Sequence, residues 1–202
     1  MKYTILNDQS YQEKIQKSLF FGQLKHVKDQ ESAKLFFQEI NKQHPQATHN
    51  CPAYIVGKKG EICFCSDDQE PSGTAGRPIL NMLQKHELTN IALVVTRYYG
   101  GVQLGVRGLI DAYGKVAEQT ILSNEKVPVI EYFSYICSMP YDFYNIFLHR
   151  VKIEDVNVLT TDYSDKIEST LSVSEHKENE LLAILNELVN NQKFTFSKTQ
   201  GC

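Results

Sequence analysis

The chain has 202 residues, 42% apolar and 22% charged, with a formal net charge of −3 and no tryptophan. That is the composition of an ordinary globular protein, and no stretch approaches the roughly 20 apolar residues of a membrane-spanning helix, so a soluble protein is expected. The N-terminus, Met1-Lys2-Tyr3-Thr4-Ile5-Leu6-Asn7-Asp8, lacks the apolar run and cleavage site of a secretory signal, and the expected location is cytoplasmic.

The five cysteines, Cys51, Cys63, Cys65, Cys137 and Cys202, are an odd number that a reducing compartment would keep as thiols. Residues 1–125 carry a net charge of +1 and residues 126–202 a net charge of −4, while the glycine-rich stretch from Thr74 to Lys115 alone carries +3. A polyanion is therefore expected to meet the first half of the chain.

The first half reads as strands alternating with helices. Residues 18–27 resemble a strand, and Ala33, Phe36, Phe37 and Ile40 then recur at helical spacing behind Asp29 and Glu31, stopping at His44-Pro45. Runs at 51–56 and 61–66 flank Gly57-Lys58-Lys59-Gly60 as a hairpin. The acidic loop Asp67-Asp68-Gln69-Glu70-Pro71-Ser72-Gly73 leads to a helix over about 75–86, with Pro78 tolerated near its first turn. The most apolar strand, Ile91 to Tyr99, is followed by Gly100-Gly101-Val102-Gln103-Leu104-Gly105-Val106-Arg107-Gly108. A helix then turns Leu109, Tyr113, Val116, Ala117, Thr120 and Ile121 inward.

The pattern restarts near Ser123–Pro128, which divides the chain into domains 1–125 and 126–202. The second half reads strand-helix-strand-strand-helix-strand, with strands at about 129–139, 155–163, 167–174 and 193–198 and helices at 141–151 and 177–190. That order is a split βαβ, ferredoxin-like arrangement.

Several constellations could carry chemistry. Strand, glycines, then helix aims backbone N–H groups at an anion, although the spacing is neither a dinucleotide fingerprint nor a Walker A loop, and the glycines could equally serve a tight turn. Arg97 and Tyr98 at the strand end, with Arg77, Arg107 and Lys115, could hold phosphate and stack a base. Tyr98 and Tyr99 point to opposite faces, so at most one is a platform.

The carboxylates Asp67, Asp68 and Glu70, with His49, could bind Mg²⁺ or act as acid and base, or could simply favour the following helix N-terminus. His49, Cys51, Cys63 and Cys65 are zinc-type ligands, but a two-residue hairpin loop would set Cys51 opposite Ser66 and Cys63 opposite Tyr54, separating the thiols on two faces. Ser72 or Cys51 with His49 as base is a further, weaker arrangement for a nucleophile, since no G-x-S-x-G elbow is present.

Three blocks in order, Ala47–Cys51, Ser66–Leu80 and Val95–Gly105, resemble the signature blocks of the IMPACT/YigZ family. Departures are Gln69, where the family usually has glycine, and Val106-Arg107 ahead of Gly108-Leu109. The resemblance implies an α+β protein: an N-terminal ribosomal protein S5 domain 2-like β/α sandwich and a C-terminal ferredoxin-like domain similar to domain V of elongation factor G. It also implies a role in translation, since eukaryotic members regulate it by binding a ribosome-associated activator of a stress kinase.

The resulting expectation is a non-catalytic binding protein. It would contact RNA, the ribosome or a translation factor through Arg77, Arg97, Tyr98, Gly100, Gly101, Gly105, Arg107 and Lys115, with no metal, no small-molecule cofactor and no membrane partner. The alternative is a phosphotransferase or hydrolase using His49, Asp67, Asp68 and Glu70 beside the glycine loop. A third reading is a protein-interaction module recognised through the acidic second domain.

Overall fold

A computed structural model describes residues 1–190 and 194–199. Cys202, and the start of the last expected strand at Lys193, lie outside the described residues. The chain divides into two compact units, Met1–Val129 and Ile130–Cys202. The first unit extends four residues past the expected boundary because β7 (Lys126–Pro128) pairs antiparallel with β1 (Tyr3–Ile5). Neither three-residue strand is long enough to show an alternation in sequence.

The first unit is built on a five-stranded antiparallel sheet in the order β2-β3-β6-β4-β5: Tyr11–Ile15, Ser18–His26, Ile91–Tyr98, His49–Val56 and Ile62–Cys65. The central strand β6 is buried along almost its whole length, which explains its unbroken apolar sequence.

Helix α1 (Gln30–Gln43) covers one face. Its N-cap Asp29 accepts from Ser32 N at 2.7 Å and Ser32 caps back, and Ala33, Phe36 and Ile40 pack on Tyr54, Val56 and Val94. Helices α2 (Gly76–Lys85) and α3 (Gly105–Leu122) cover the other face, where Ile79, Leu83, Val116 and Ile121 meet Phe20, Ile55 and Leu93. Helix α3 begins at Gly105, four residues before its first inward side chain, so the later part of the glycine segment is helix rather than loop.

The second unit has four antiparallel strands in the order β11-β8-β10-β9: Thr195–Lys198, Tyr132–Met139, Ile167–Ser174 and Val156–Tyr163. A single 3₁₀ turn precedes α4 (Tyr144–Arg150) and another precedes α5 (Glu178–Val189). Phe147 of α4 and Leu181 and Leu185 of α5 share one core with Tyr135, Cys137 and Leu171. Among the described residues no helix is long and apolar enough to cross a membrane.

Candidate functional site

The loop 66–75 is held to the ends of β4 and β6 by Asp68 and Glu70 and to the start of α2 by Asp67. Asp67 Oδ1 accepts from the N–H groups of Ala75 and Gly76, both at 2.9 Å, and Oδ2 from Gly73 N at 2.8 Å. The acceptor that α2 needs at its N-terminus therefore comes from a residue eight positions upstream of Ala75 rather than from the cap position itself. Burial works against ionising Asp67, but the three backbone N–H donors outweigh it and hold the carboxyl below its ordinary range. Asp68 Oδ2 accepts from Asn50 N at 2.6 Å, and its carbonyl accepts from His49 Nδ1 at 2.7 Å, which fixes the imidazole with Nδ1 protonated.

Glu70 is the third acid, and its side chain is only 3% exposed. Its Oε1 accepts from Arg97 Nη1 at 2.7 Å and from Tyr113 Oη at 2.8 Å, with His49 Nε2 at 3.7 Å. Arg97 reaches this position because β6 pairs with β4 and β3 so that Arg97 lies opposite both His49 and Phe20. Its Nη2 donates to Ser18 Oγ at 3.2 Å, and its guanidinium lies over the ring of Phe20 at 5.5 Å and that of Tyr99 at 5.3 Å. Cys51 donates to the Asp67 carbonyl at 3.1 Å, and burial pushes its thiol well above the ordinary thiol range. Burial does the same to the Tyr113 hydroxyl, so both stay protonated at neutral pH.

His49, Asp67, Asp68, Glu70 and Arg97 are thus brought together, each held by internal partners. Tyr98 is not with them. Side chains alternate along β6, so Tyr98 faces the α1 side, its hydroxyl 2.9 Å from His44 Nδ1 and its ring edge-on to Phe21. The aromatic that shares a face with Arg97 is Tyr99, which is 46% exposed. Lys115 lies on α3 and is paired with Glu13. Arg77 and Arg107, in the first turns of α2 and α3, are exposed and make no ion pair with a described residue.

Of the glycines, Gly100 is required by close approach, since a Cβ there would lie 2.0 Å from the Lys17 carbonyl oxygen. Gly101 (φ +82°) and Gly105 (φ +71°) sit in the left-handed region with open space beside them.

The expected separation of the cysteines is corrected. The hairpin loop is longer than two residues, and the strands pair Ala53 with Cys65 and Ile55 with Cys63. Cross-strand partners share a face, so Cys51, Cys63 and Cys65 lie on the same side of the sheet. Even so, the described residues contain no group of three or more His, Cys, Asp or Glu placed to hold a metal ion. Ser18 and Tyr113 are site residues that the sequence reading did not assign. A tyrosine on the apolar stripe of α3 was the available signal for the second, because a buried phenol needs a hydrogen-bond partner.

A family model matches the part of the chain that carries this sheet-end network. Residues 16–121 fit the Impact N-terminal domain, and the chain belongs to the IMPACT family. Its relatives include IMPACT family member YvyE of Bacillus subtilis, 52% identical over 50% of this chain and 46% of that protein, so the match spans less than half of that relative's length. An IMPACT family member of Haemophilus influenzae is 35% identical over 82% of this chain and 81% of its own. A crystal structure of a hypothetical protein, 27% identical, superposes with a TM-score of 0.66 over 100% of this chain and 97% of that one.

Proposed function

We propose that the protein is a non-catalytic binding protein acting in translation or its regulation, and that it contacts RNA, the ribosome or a translation factor through its first unit. The observation that carries this reading is the saturation of the acidic loop. Asp67 takes three backbone donors, the Asp68 carboxylate takes Asn50 N while its backbone carbonyl takes His49 Nδ1, and Glu70 is sealed between Arg97 and Tyr113. A general acid or base must exchange a proton with a substrate, and these carboxylates are engaged in holding the loop to the start of α2 and to the sheet. What is left exposed in and next to the glycine segment is Tyr99 and the cation Arg107, with Arg77 exposed in the first turn of α2, which suits a partner that is anionic and carries stacking surfaces.

The same reading takes the first unit as a ribosomal protein S5 domain 2-like sandwich. It takes the second as a ferredoxin-like domain similar to domain V of elongation factor G, which its β11-β8-β10-β9 order supports. The expected location is cytoplasmic.

The test is RNA binding by the whole chain, followed by fluorescence anisotropy at several salt concentrations. Affinity should fall as salt rises, and Arg107→Ala should flatten the salt slope by about one unit. No binding at low salt, together with a melting temperature raised by a divalent metal or a nucleotide triphosphate, would turn the case toward the phosphotransferase or hydrolase alternative.

A further inference from the structure

The sheet of the first unit ends on one side in β2, where Gln12, Glu13 and Lys14 supply the polar and charged side chains that keep an edge strand from pairing with other chains. It ends on the other in β5, Ile62-Cys63-Phe64-Cys65, which has none. Ile62 is 39% exposed and Phe64 42%. These side chains stand on an open backbone edge. The bond from Ser66 N to the Pro52 carbonyl at 3.0 Å sets the phase of the β4–β5 ladder. Counted in twos from Ser66, Phe64 and Ile62 turn their N–H and C=O groups to β4, while Cys63 and Cys65 turn theirs outward. On the α1 side the Phe64 ring stacks on Tyr54 at 5.3 Å and meets Phe37 at 6.3 Å, so an aromatic wall borders the same edge.

We infer that β5 is a self-association site, on which β5 of a second copy pairs antiparallel about a two-fold axis and joins the two sheets into one. The segment is its own complement. An uncharged apolar strand has the cation Lys59 before it and the acids Asp67 and Asp68 after it, so an antiparallel copy brings cation to acid at both ends, as a two-fold interface requires. Charge also chooses the register. Outward-facing residues must meet outward-facing residues, which leaves the axis at Cys63, Phe64 or Cys65. An axis at Phe64 sets Glu61 against Asp67 of the second copy, a like-charge pair. An axis at Cys65 runs the ladder into Asp68 and Gln69, whose φ values of +42° and +70° cannot continue a strand. An axis at Cys63 sets Ile62 opposite Phe64 in both directions and brings Lys59, which makes no ion pair with a described residue, toward Asp67 of the second copy. Both exposed apolar side chains are then covered by each other.

Size-exclusion chromatography with light scattering on the whole chain, under reducing conditions and from micromolar to near-millimolar protein, tests this. The mass should rise from the 23.1 kDa of one chain toward twice that value. Cys63→Pro removes an N–H that only the second copy uses, and proline is accepted on an edge strand where that side faces solvent. This variant should stay monomeric and melt close to wild type. Ile62→Lys gives β5 the kind of charge that β2 already has and should weaken association by about tenfold or more. Thiol linkage reads the register, since hydrogen-bonded partners lie about 5.5 Å apart at Cα, within disulfide range. Diamide takes up the two thiol hydrogens as the S–S bond forms. In a Cys202→Ser background it should join two copies through Cys63, and the link should survive Cys65→Ser and vanish in Cys63→Ser.

A monomer at every concentration overturns the inference and leaves the edge to a strand of another protein. A dimer that Ile62→Lys leaves as tight as wild type overturns it too, and so does one that a normally melting Cys63→Pro leaves intact. Should Cys63→Pro melt far below wild type, Ile62→Lys carries the test alone, because its side chain is already at the surface. A diamide link that persists in Cys63→Ser places the contact elsewhere, and one lost in Cys65→Ser overturns the axis at Cys63.

Discussion

Glu70 and Arg97 meet at 2.7 Å in the interior of the first unit, their side chains 3% and 6% exposed, although one belongs to a loop and the other to the central strand. The pair joins the acidic loop to β6, and Tyr113 ties it to α3 as well. Two charges taken out of water in this way stabilise the fold only while both are present.

Either Glu70→Gln or Arg97→Met should therefore cost about 3–5 kcal/mol in urea unfolding, because each leaves one buried group uncompensated. The double variant should cost clearly less than the sum of the two. Additive losses would show that the pair is not coupled, and a loss below 1 kcal/mol for Arg97→Met would show that its burial carries no penalty.

Asp67 makes a prediction with a pH signature. Its folded-state carboxyl lies below the ordinary value, so its stabilisation is present above the unfolded-state pKa of about 3.9 and fades as pH falls through the folded value. Asp67→Ala should cost about 0.5–2 kcal/mol at pH 7, in the range of a lost helix cap. The difference between variant and wild type should shrink progressively below about pH 4. A difference that stays constant down to pH 2 would mean that ionised Asp67 is not the stabilising species.

Much of the first unit was legible because its elements are long and strongly patterned. The apolar run of β6 and the Ala33/Phe36/Ile40 stripe of α1 each commit a segment to one environment. Their place in separated motif blocks suggests that His49, Asp67, Asp68, Glu70, Arg77 and Arg97 share one face; the network holds five of these, and Arg77 is not among its partners. The saturation of the acids could not be anticipated, since which donor an acid finds is a matter of tertiary packing. Tyr99 was within reach: strand alternation alone puts it on the Arg97 side and Tyr98 on the other. The β4–β5 register was not, because Gly57 and Gly60 both take positive φ and lengthen the turn, and a shift of one residue reverses which face every side chain takes.

Gln69 holds a backbone conformation that glycine takes more readily, with φ +70° directly after Asp68 at φ +42°. A non-glycine residue pays about 1–2 kcal/mol in the left-handed region, against which glycine's extra chain entropy in the unfolded state costs about 0.5–1 kcal/mol. The Gln69 side chain is exposed and makes no hydrogen bond or ion pair with a described residue. Gln69→Gly should accordingly raise unfolding free energy by about 0.5–1 kcal/mol without altering the Glu70–Arg97 pair. A fall in stability in the same denaturation assay would mean that the glutamine side chain contributes contacts of its own.

The boundary between the units is set by a small ladder rather than by the end of α3. Tyr3, Thr4 and Ile5 pair with Pro128, Val127 and Lys126, and Val129 N donates to the Lys2 carbonyl at 2.9 Å. Ile5 belongs to the core cluster at 4% exposure, so the ladder also seats an apolar side chain. A fragment ending at Glu125 keeps every helix of the first unit but loses β7, and its first strand is left without that partner. Each lost backbone hydrogen bond should cost on the order of 1 kcal/mol, with further loss as Ile5 loosens. A fragment of residues 1–130 should fold and melt cooperatively, whereas one of residues 1–125 should melt several degrees lower and show faster amide exchange at Tyr3–Ile5. Equal melting temperatures would place the boundary at Glu125 after all and make β1 and β7 dispensable to the first unit.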